Sequence, residues 1–271
     1  MRVLAPAAAA GPAAGMTPRT RAPDWNELLR TWDLQQEDFN RDRERRFTAM
    51  LEALGAALPK RFTALDLGSG PGSLSVRLLR RFPSARVIAV DYDPVTLRIG
   101  EGALGDFGGR LTWVDAKLGA RGWTDRLPRR RVDAAVSTTA LHWLPPAGLR
   151  SLYRDLGRLL PRGGVFLDGD YLPWGPRAPG LRRLAASVYE ERLRGVPSGK
   201  QWAAWTRWWK NAEKIPALRP SFAERKRRAA HHPKQRTLSL DFHEDALRRA
   251  GFREVGVIWQ DQENRVLLAR R

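Results

Sequence analysis

The sequence predicts an α/β fold: a seven-stranded, mostly parallel sheet with one antiparallel strand, helices on both faces and a helical insertion after the fifth strand. Three observations lead there. Short apolar runs alternate with helical patterns between residues 61 and 170, the order that builds a parallel sheet with crossover helices. A glycine-rich turn, GSGPG (68–72), joins the first strand to the first of these helices. Two strand-like runs end the sequence with a short polar link between them, and so short a link makes an antiparallel hairpin.

The elements follow in order. Residues 24–58 read as helical, with Phe39, Phe47, Met50, Leu51, Leu54 and Leu58 on one face and Pro59 as the stop. FTALDL (62–67) is the first strand, and Leu74, Leu78 and Phe82 stripe the helix after the glycine turn. ARVIAVD (85–91) is the second strand. Asp93 caps the next helix with Pro94 at its first position, where the missing N–H costs nothing. RLTWVD (110–115) and RVDAAVS (131–137) are strands three and four. Leu149, Leu152, Tyr153, Leu156, Leu159 and Leu160 form an amphipathic helix stopped by Pro161 and Gly163, before strand five, GVFLDGD (164–170).

Residues 174–240 break the alternation and read as several helices rich in tryptophan and arginine, a cap over a substrate. DFHEDALRRAGF (241–252) is a helix. EVGVIWQ (254–260) and RVLLARR (265–271) are the last strands, joined by about four residues. The division is thus 24–173 for the first helices and the ligand-binding core, 174–240 for the cap and 241–271 for the part that completes the core. Residues 1–23, mostly alanine, proline and glycine, read as disordered, with Met16 as an alternative start.

Hydrophobic residues make up 42% of the 271 and charged residues 28%, a globular profile. No apolar run of about 18 residues is present, so no membrane is expected. There is no cysteine. This excludes disulfides, thiolate zinc sites and a cysteine nucleophile, and suits the cytoplasm. The net charge of +19 admits nucleic acid, anionic membrane or acidic substrates as partners. Only seven of the 48 basic residues are lysine. Arginine in excess together with alanine and proline is also what a GC-rich coding sequence produces, and the charge is spread along the whole chain. His231 and His232 are adjacent and do not share a helix face, so no metal site is expected.

The glycine turn narrows the ligand. A nucleoside-triphosphate loop needs a lysine that this turn lacks. The dinucleotide fingerprint needs glycine at 73, where Ser73 stands. Asp66, two places before Gly68, would repel a pyrophosphate and suits a cation.

Six segments then carry a resemblance: LDLGSGPG (65–72), VIAVDYDP (87–94), LTWVDA (111–116), VDAAVSTTALHWL (132–144), LPRGGVFL (160–167) and AGFREVGVIWQ (250–260). In order and spacing they resemble the Rossmann-like class I S-adenosylmethionine-dependent methyltransferases, and ALHW resembles the branch that methylates small carboxylic acids. The resemblance implies S-adenosylmethionine as cofactor and a small-molecule substrate, acidic or aromatic.

Gly68, Gly70 and Gly72 let backbone approach the cofactor, and the helix start beyond them aims free N–H groups at its carboxylate. Asp91 lies about 20 residues past the loop, the usual place of a ribose-binding acid, and can accept both ribose hydroxyls. Asp115 ends the third strand and suits the adenine amino group, with Trp113 or Ala116 lining the slot. By resemblance Asp66 faces the cofactor's ammonium, and Ser69, Tyr92 and Ser137 complete the binding set.

For catalysis, His142 after strand four is the candidate base; alternatively it only packs and hydrogen-bonds there. Asp170 and Tyr171 follow strand five and are the next candidates. A carboxylate acceptor needs no base, being ionised at pH 7. Trp202, Trp205 and Trp209 share a helix face and either roof an apolar pocket or pack the cap onto the sheet. Trp25, Trp32, Phe39 and Arg43 read as a lid, with Arg43 or Arg46 able to clamp an acidic substrate. Oxygen of a carboxylate or hydroxyl is the expected acceptor. RNA methylation is the first rival, supported by the basic run 219–236 and opposed by STTALHW where base-nitrogen enzymes carry an Asn/Asp-Pro-Pro-Tyr-like segment. A cofactor-binding protein with other chemistry is the second.

Overall fold

The structure, a computed structural model, describes residues 22–37, 42–129, 131–194, 199–229 and 237–271. The alanine-rich start up to residue 21, Phe39, and His231 and His232 lie outside the described residues.

One sheet of seven strands organises the chain: β1 (Thr63–Leu67), β2 (Arg86–Asp91), β3 (Leu111–Asp115), β4 (Ala134–Thr138), β5 (Val165–Tyr171), β6 (Glu254–Asp261) and β7 (Asn264–Arg270). Their order is β3-β2-β1-β4-β5-β7-β6. Neighbours among β1 to β5 pair in parallel, and β7 runs against both β5 and β6. β7 is therefore the reversed strand. The hairpin that joins it to β6 is tighter than expected, since Asp261 pairs with Asn264 across Gln262 and Glu263. Gln262 takes the left-handed conformation, at φ 55°, which such a turn demands and which this residue type does not announce.

Each sheet face buries its own core. Leu65, Leu67, Ile88 and Val90 pack with Leu149, Leu152, Tyr153 and Leu156 of α5 (Pro146–Leu159) and Leu247 of α9 (Leu240–Arg249). Ala64, Val87 and Ala89 face Phe47, Met50 and Leu54 of α2 (Arg43–Ala57) and Leu74 and Leu78 of α3 (Ser73–Arg81). The period-two alternation of strand side chains produces this division. The expected single helical run of 24–58 is two helices, α1 (Trp25–Glu37) and α2. The reason is that they serve different surfaces. α2 packs on the sheet, whereas Trp25, Leu28 and Trp32 of α1 join Val95 and Ile99 of α4 (Pro94–Leu104) and the tryptophans of the insertion.

The insertion consists of α6 (Pro179–Arg192), α7 (Lys200–Glu213) and α8 (Arg219–Ala229). α5 and α9 approach so closely that a Cβ on Gly157 would lie 2.3 Å from the Ala250 carbonyl oxygen. Gly157→Ala is expected to force the helices apart and cost about 1–3 kcal/mol, read as a lowered midpoint in denaturant with an unchanged slope.

Candidate active site

The strand order reverses between β1 and β4, which opens a crevice at the carboxyl ends of the strands. The glycine loop fills one side of it. Gly68, Gly70 and Gly72 have φ of 68°, 55° and 90°, a region closed to most side chains. A Cβ on Gly68 would meet Ala140 at 2.3 Å and one on Gly72 would meet Trp113 at 2.8 Å, so both must be glycine on packing grounds as well. Trp113 therefore packs beneath the loop, and its indole N–H donates to the Gly105 carbonyl at 2.8 Å.

Asp91 ties the loop to β2. Its Oδ2 accepts the Gly70 N–H at 2.7 Å, and its Oδ1 accepts those of Tyr92 and Asp93 at 2.6 and 2.8 Å. A carboxylate offers about four acceptor directions. Three of these on Asp91 are taken by backbone N–H groups. Burial pushes its pKa up to about 6. Asp66, 1% exposed, accepts the Ser75 hydroxyl at 2.6 Å. Burial, with Asp91's charge adding to it, pushes Asp66 up to about 7 against the Ser75 hydrogen bond. Asp91 and Asp115 are register partners on neighbouring strands. Ser69 lies buried in the loop, and the Ala116 N–H donates to the Asp91 carbonyl at 2.8 Å. These residues thus gather at one end of β1, β2 and β3. Ser137 faces inward instead. Its buried hydroxyl donates to the Leu67 carbonyl at 2.8 Å and stitches β4 to β1.

Asp93 caps α4 as expected, accepting from the Val95 N–H at 2.9 Å. Two arginines from α8, absent from the expected site, reach this end of the sheet. Arg225 Nε donates to Asp93 at 2.6 Å. Arg228 makes a two-pronged contact to Asp115 at 2.8 and 2.7 Å and donates to the Tyr92 carbonyl at 2.7 Å. Its guanidinium also lies over the Tyr92 ring, 4.6 Å from the centroid. Arg225 and Arg228 share a helix face, but in the sequence their basic run pointed toward RNA and not toward these carboxylates.

A second group occupies the ends of β4 and β5. Thr139, at φ 49°, is left-handed without being glycine, a strain that collects at functional sites. It leads into His142, whose Nδ1 lies 2.9 and 3.0 Å from the two oxygens of Asp170. A carboxylate only accepts, so Nδ1 carries the proton and Nε2 is left for other partners. Burial lowers the His142 pKa, but Asp170's charge and hydrogen bond outweigh it and hold the net value above the ordinary one. Asp170 is lowered in return, with the same histidine and the Arg46 charge overcoming its burial.

Arg46 is fully buried and donates to Asn264 at 3.0 Å and Thr138 at 2.9 Å. It crosses β5 over Gly169, where a Cβ would come within 2.9 Å of it. Asp168 was not expected in the site. Both of its oxygens are buried and without a hydrogen-bond partner among the described residues. Burial and Asp170's charge push its pKa well up. The pattern DGD (168–170) placed both carboxylates on one strand face.

Tyr171 takes another direction. Its hydroxyl donates to Glu263 and its N–H to Asp170 at 2.8 Å, while Glu263 also accepts the Trp174 N–H at 2.8 Å. The phenol so anchors the start of the insertion to the β6–β7 turn, and burial followed by the Glu263 bond raises its pKa. Arg43 likewise does not face open space. It pairs with Asp33 at 2.8 Å.

Trp205 and Trp209 of α7 pack edge-on with each other, and Trp209 packs against Trp32, Trp208 and Phe222. Their part of the stripe is thus packed inside the insertion and against α1, whereas Trp202 remains 57% exposed. Trp32 from α1 hangs over the glycine loop, 3.7 Å from where a Cβ on Gly70 would stand. No group of three or more His, Cys, Asp or Glu able to hold a metal occurs among the described residues. Nor is any described helix long and apolar enough to cross a membrane.

Comparison with known proteins agrees with this geometry. A profile described as "Methyltransferase domain" matches residues 64–164. Trans-aconitate 2-methyltransferase of Azoarcus sp. is 31% identical over 195 residues, 65% of this chain and 71% of that protein. The protein of that name from Methylobacterium radiotolerans is 31% identical over 181 residues, 67% of this chain but 58% of its own length. Human N-acetylserotonin methyltransferase, solved with S-adenosylmethionine, superposes with a TM-score of 0.52 at 15% identity over 90% of this chain and 55% of that one, a likeness of fold. With the glycine loop, the strand-end carboxylates and a relative covered over most of its length, the chain belongs to the class I S-adenosylmethionine-dependent methyltransferases.

Proposed function

We propose that the chain transfers the cofactor's methyl group to a carboxylate oxygen of a small acidic molecule. The His142–Asp170 pair carries this reading. Burial and Asp170's charge push Asp168 toward its neutral form, and Arg46, Asp170 and a protonated His142 then sum to one positive charge at the end of β4 and β5; the raised His142 pKa favours its protonated state. An imidazolium presents Nε2–H as a donor to an anion. The names of the two curated relatives also point to a small carboxylic acid.

The donor set fits the cofactor: two buried carboxylates pushed above their ordinary range by burial suit a cationic ligand, which would restore their charge. In this reading Asp66 faces the ammonium, Asp91 a ribose hydroxyl and Asp115 the adenine amino group. The first turn of α3 offers N–H groups to the carboxylate. The bound cofactor supplies a methyl group already activated on a sulfonium. The chain has only to align the acceptor and exclude water, an effect worth up to ~7–11 kcal/mol when alignment is good. His142 then orients and retains the acid, and the buried Arg46 contributes its charge from behind. Tyr171 keeps a structural part, holding the insertion to the hairpin.

The second reading, a hydroxyl acceptor deprotonated by neutral His142, is favoured by the same free Nε2. The two differ in sign. If His142 binds an anion, kcat/KM for trans-aconitate falls as pH rises through the His142 pKa; if it is the base, kcat/KM rises over that range. We expect the fall. We also expect His142→Ala to reduce kcat/KM about 10- to 100-fold, the loss of one charged hydrogen bond. Initial rates from pH 5.5 to 9 with both proteins check this. A rising profile that His142→Ala flattens would replace the carboxylate by a hydroxyl.

A further inference from the structure

We infer that α8 is a latch across the adenosine side of the cofactor cleft, in which Arg228 holds the carboxylate that the adenine amino group requires, so that cofactor entry releases the insertion. The inference rests on the reading of Asp115 as the adenine acceptor. Arg228 satisfies both Asp115 oxygens at once, at 2.8 and 2.7 Å. An adenine N–H seeking the same carboxylate must share or displace it. The same guanidinium lies over Tyr92 and bonds its carbonyl, so the side chain covers the slot between the ends of β2 and β3. Arg225 supplies a second arm on Asp93, the cap of α4.

The other contacts of α8 are made through a few side chains: Phe222 reaches the tryptophan cluster, Arg225 stacks 3.9 Å from the centroid of the Trp209 ring and Leu218 just before the helix is buried, while most of the helix, RPSFAERKRRA, is polar or basic. Asp115 is 40% exposed at its side chain, which keeps the pair open to water and easily exchanged. Glu224 accepts from both Arg227 and Arg228 at 2.9 and 2.7 Å, so a released Arg228 keeps a partner on its own helix. The basic run therefore has intramolecular partners through Arg225, Arg227 and Arg228. Binding at two places that draw on one carboxylate is reciprocal: whatever loosens α8 favours the cofactor, and the cofactor loosens α8.

Titration calorimetry with S-adenosylhomocysteine, together with hydrogen exchange over residues 219–229, tests the latch. Arg228→Ala is expected to bind S-adenosylhomocysteine more tightly, by about fivefold or more, and the wild-type protein to exchange faster in α8 once the ligand is added. Weaker or unchanged binding by Arg228→Ala, or slower exchange in the liganded wild type, overturns it. Adding Asp115→Ala in the Arg228→Ala background separates the two readings. A loss of affinity there upholds the adenine role of Asp115 and leaves the latch to be judged by the first result. No loss removes that role, and the latch with it.

Discussion

Asp91→Ala is expected to weaken cofactor binding at least tenfold, and more than a single lost hydroxyl contact would explain. One hydrogen bond to a charged acceptor is worth about 1.5–3 kcal/mol. Asp91 in addition restrains the loop that approaches the cofactor, because the Gly70 N–H ends on its Oδ2. Asparagine does not rescue the site: its amide nitrogen would face either the Gly70 N–H or those of Tyr92 and Asp93, donor against donor. Calorimetry with S-adenosylhomocysteine gives the affinity, and thermal denaturation without ligand separates loop loss from global unfolding. An unchanged dissociation constant would remove Asp91 from the site.

The pH dependence of the wild type belongs to the same prediction. Asp66 and Asp91 stand at about 7 and about 6, raised by burial from an ordinary 3.8. A carboxyl group whose folded pKa is raised contributes stability that is complete below the unfolded value and lost as pH rises through the folded one. The free protein therefore loses this contribution between about pH 4 and pH 7. A ligand bearing an ammonium favours the ionised forms, so the rise in melting temperature given by S-adenosylhomocysteine is expected to grow from pH 5.5 to 7.5. Binding at pH 6 should also release protons, seen as a binding enthalpy that changes with the buffer.

Local rules explain which parts of this were legible. The glycine loop could be read because three left-handed positions admit little else, and Asp93 could be read as a cap from the proline after it. Strand β4 begins at Ala134, not at Arg131, although Asp133 already bonds to neighbouring backbone, donating its N–H to the Thr63 carbonyl at 2.9 Å. The two-residue turn at Gln262 and Glu263 carries no turn-forming residue, so the strand ends around it were blurred. The tryptophans of α7 share a face in either reading. Only the position of α1 decides that Trp209 meets Trp32. The arginines of α8 show the wider limit: an ion pair between residues 115 and 228 leaves no local trace in a chain with this much arginine.

Arg46→Met is expected to be the most destabilising of these substitutions, at about 3–5 kcal/mol, because it removes a buried cation and leaves buried carboxyl groups without it. For a domain of this size that is a fall in melting temperature of roughly 10 °C. Arg46 is itself pulled down to about 10 by burial, against the charges of Asp170 and Asp168, so it stays protonated at neutral pH and offsets Asp170. Thr138 and Asn264 would lose their donors with it. Asp168→Asn should be the milder change, since burial and the charge of Asp170 both push Asp168 toward its neutral form. Its folded pKa is raised, so the wild type loses stability as pH climbs through it, and asparagine has no such proton to lose. Asp168→Asn is therefore expected to gain on the wild type as pH rises, and to lessen the cost of Arg46→Met in the same direction. Melting curves of the wild type, the two single variants and the double variant across a pH series decide this. If the cost of Arg46→Met is the same with and without Asp168→Asn, the arginine acts through Asp170, Thr138 and Asn264 and owes nothing to Asp168.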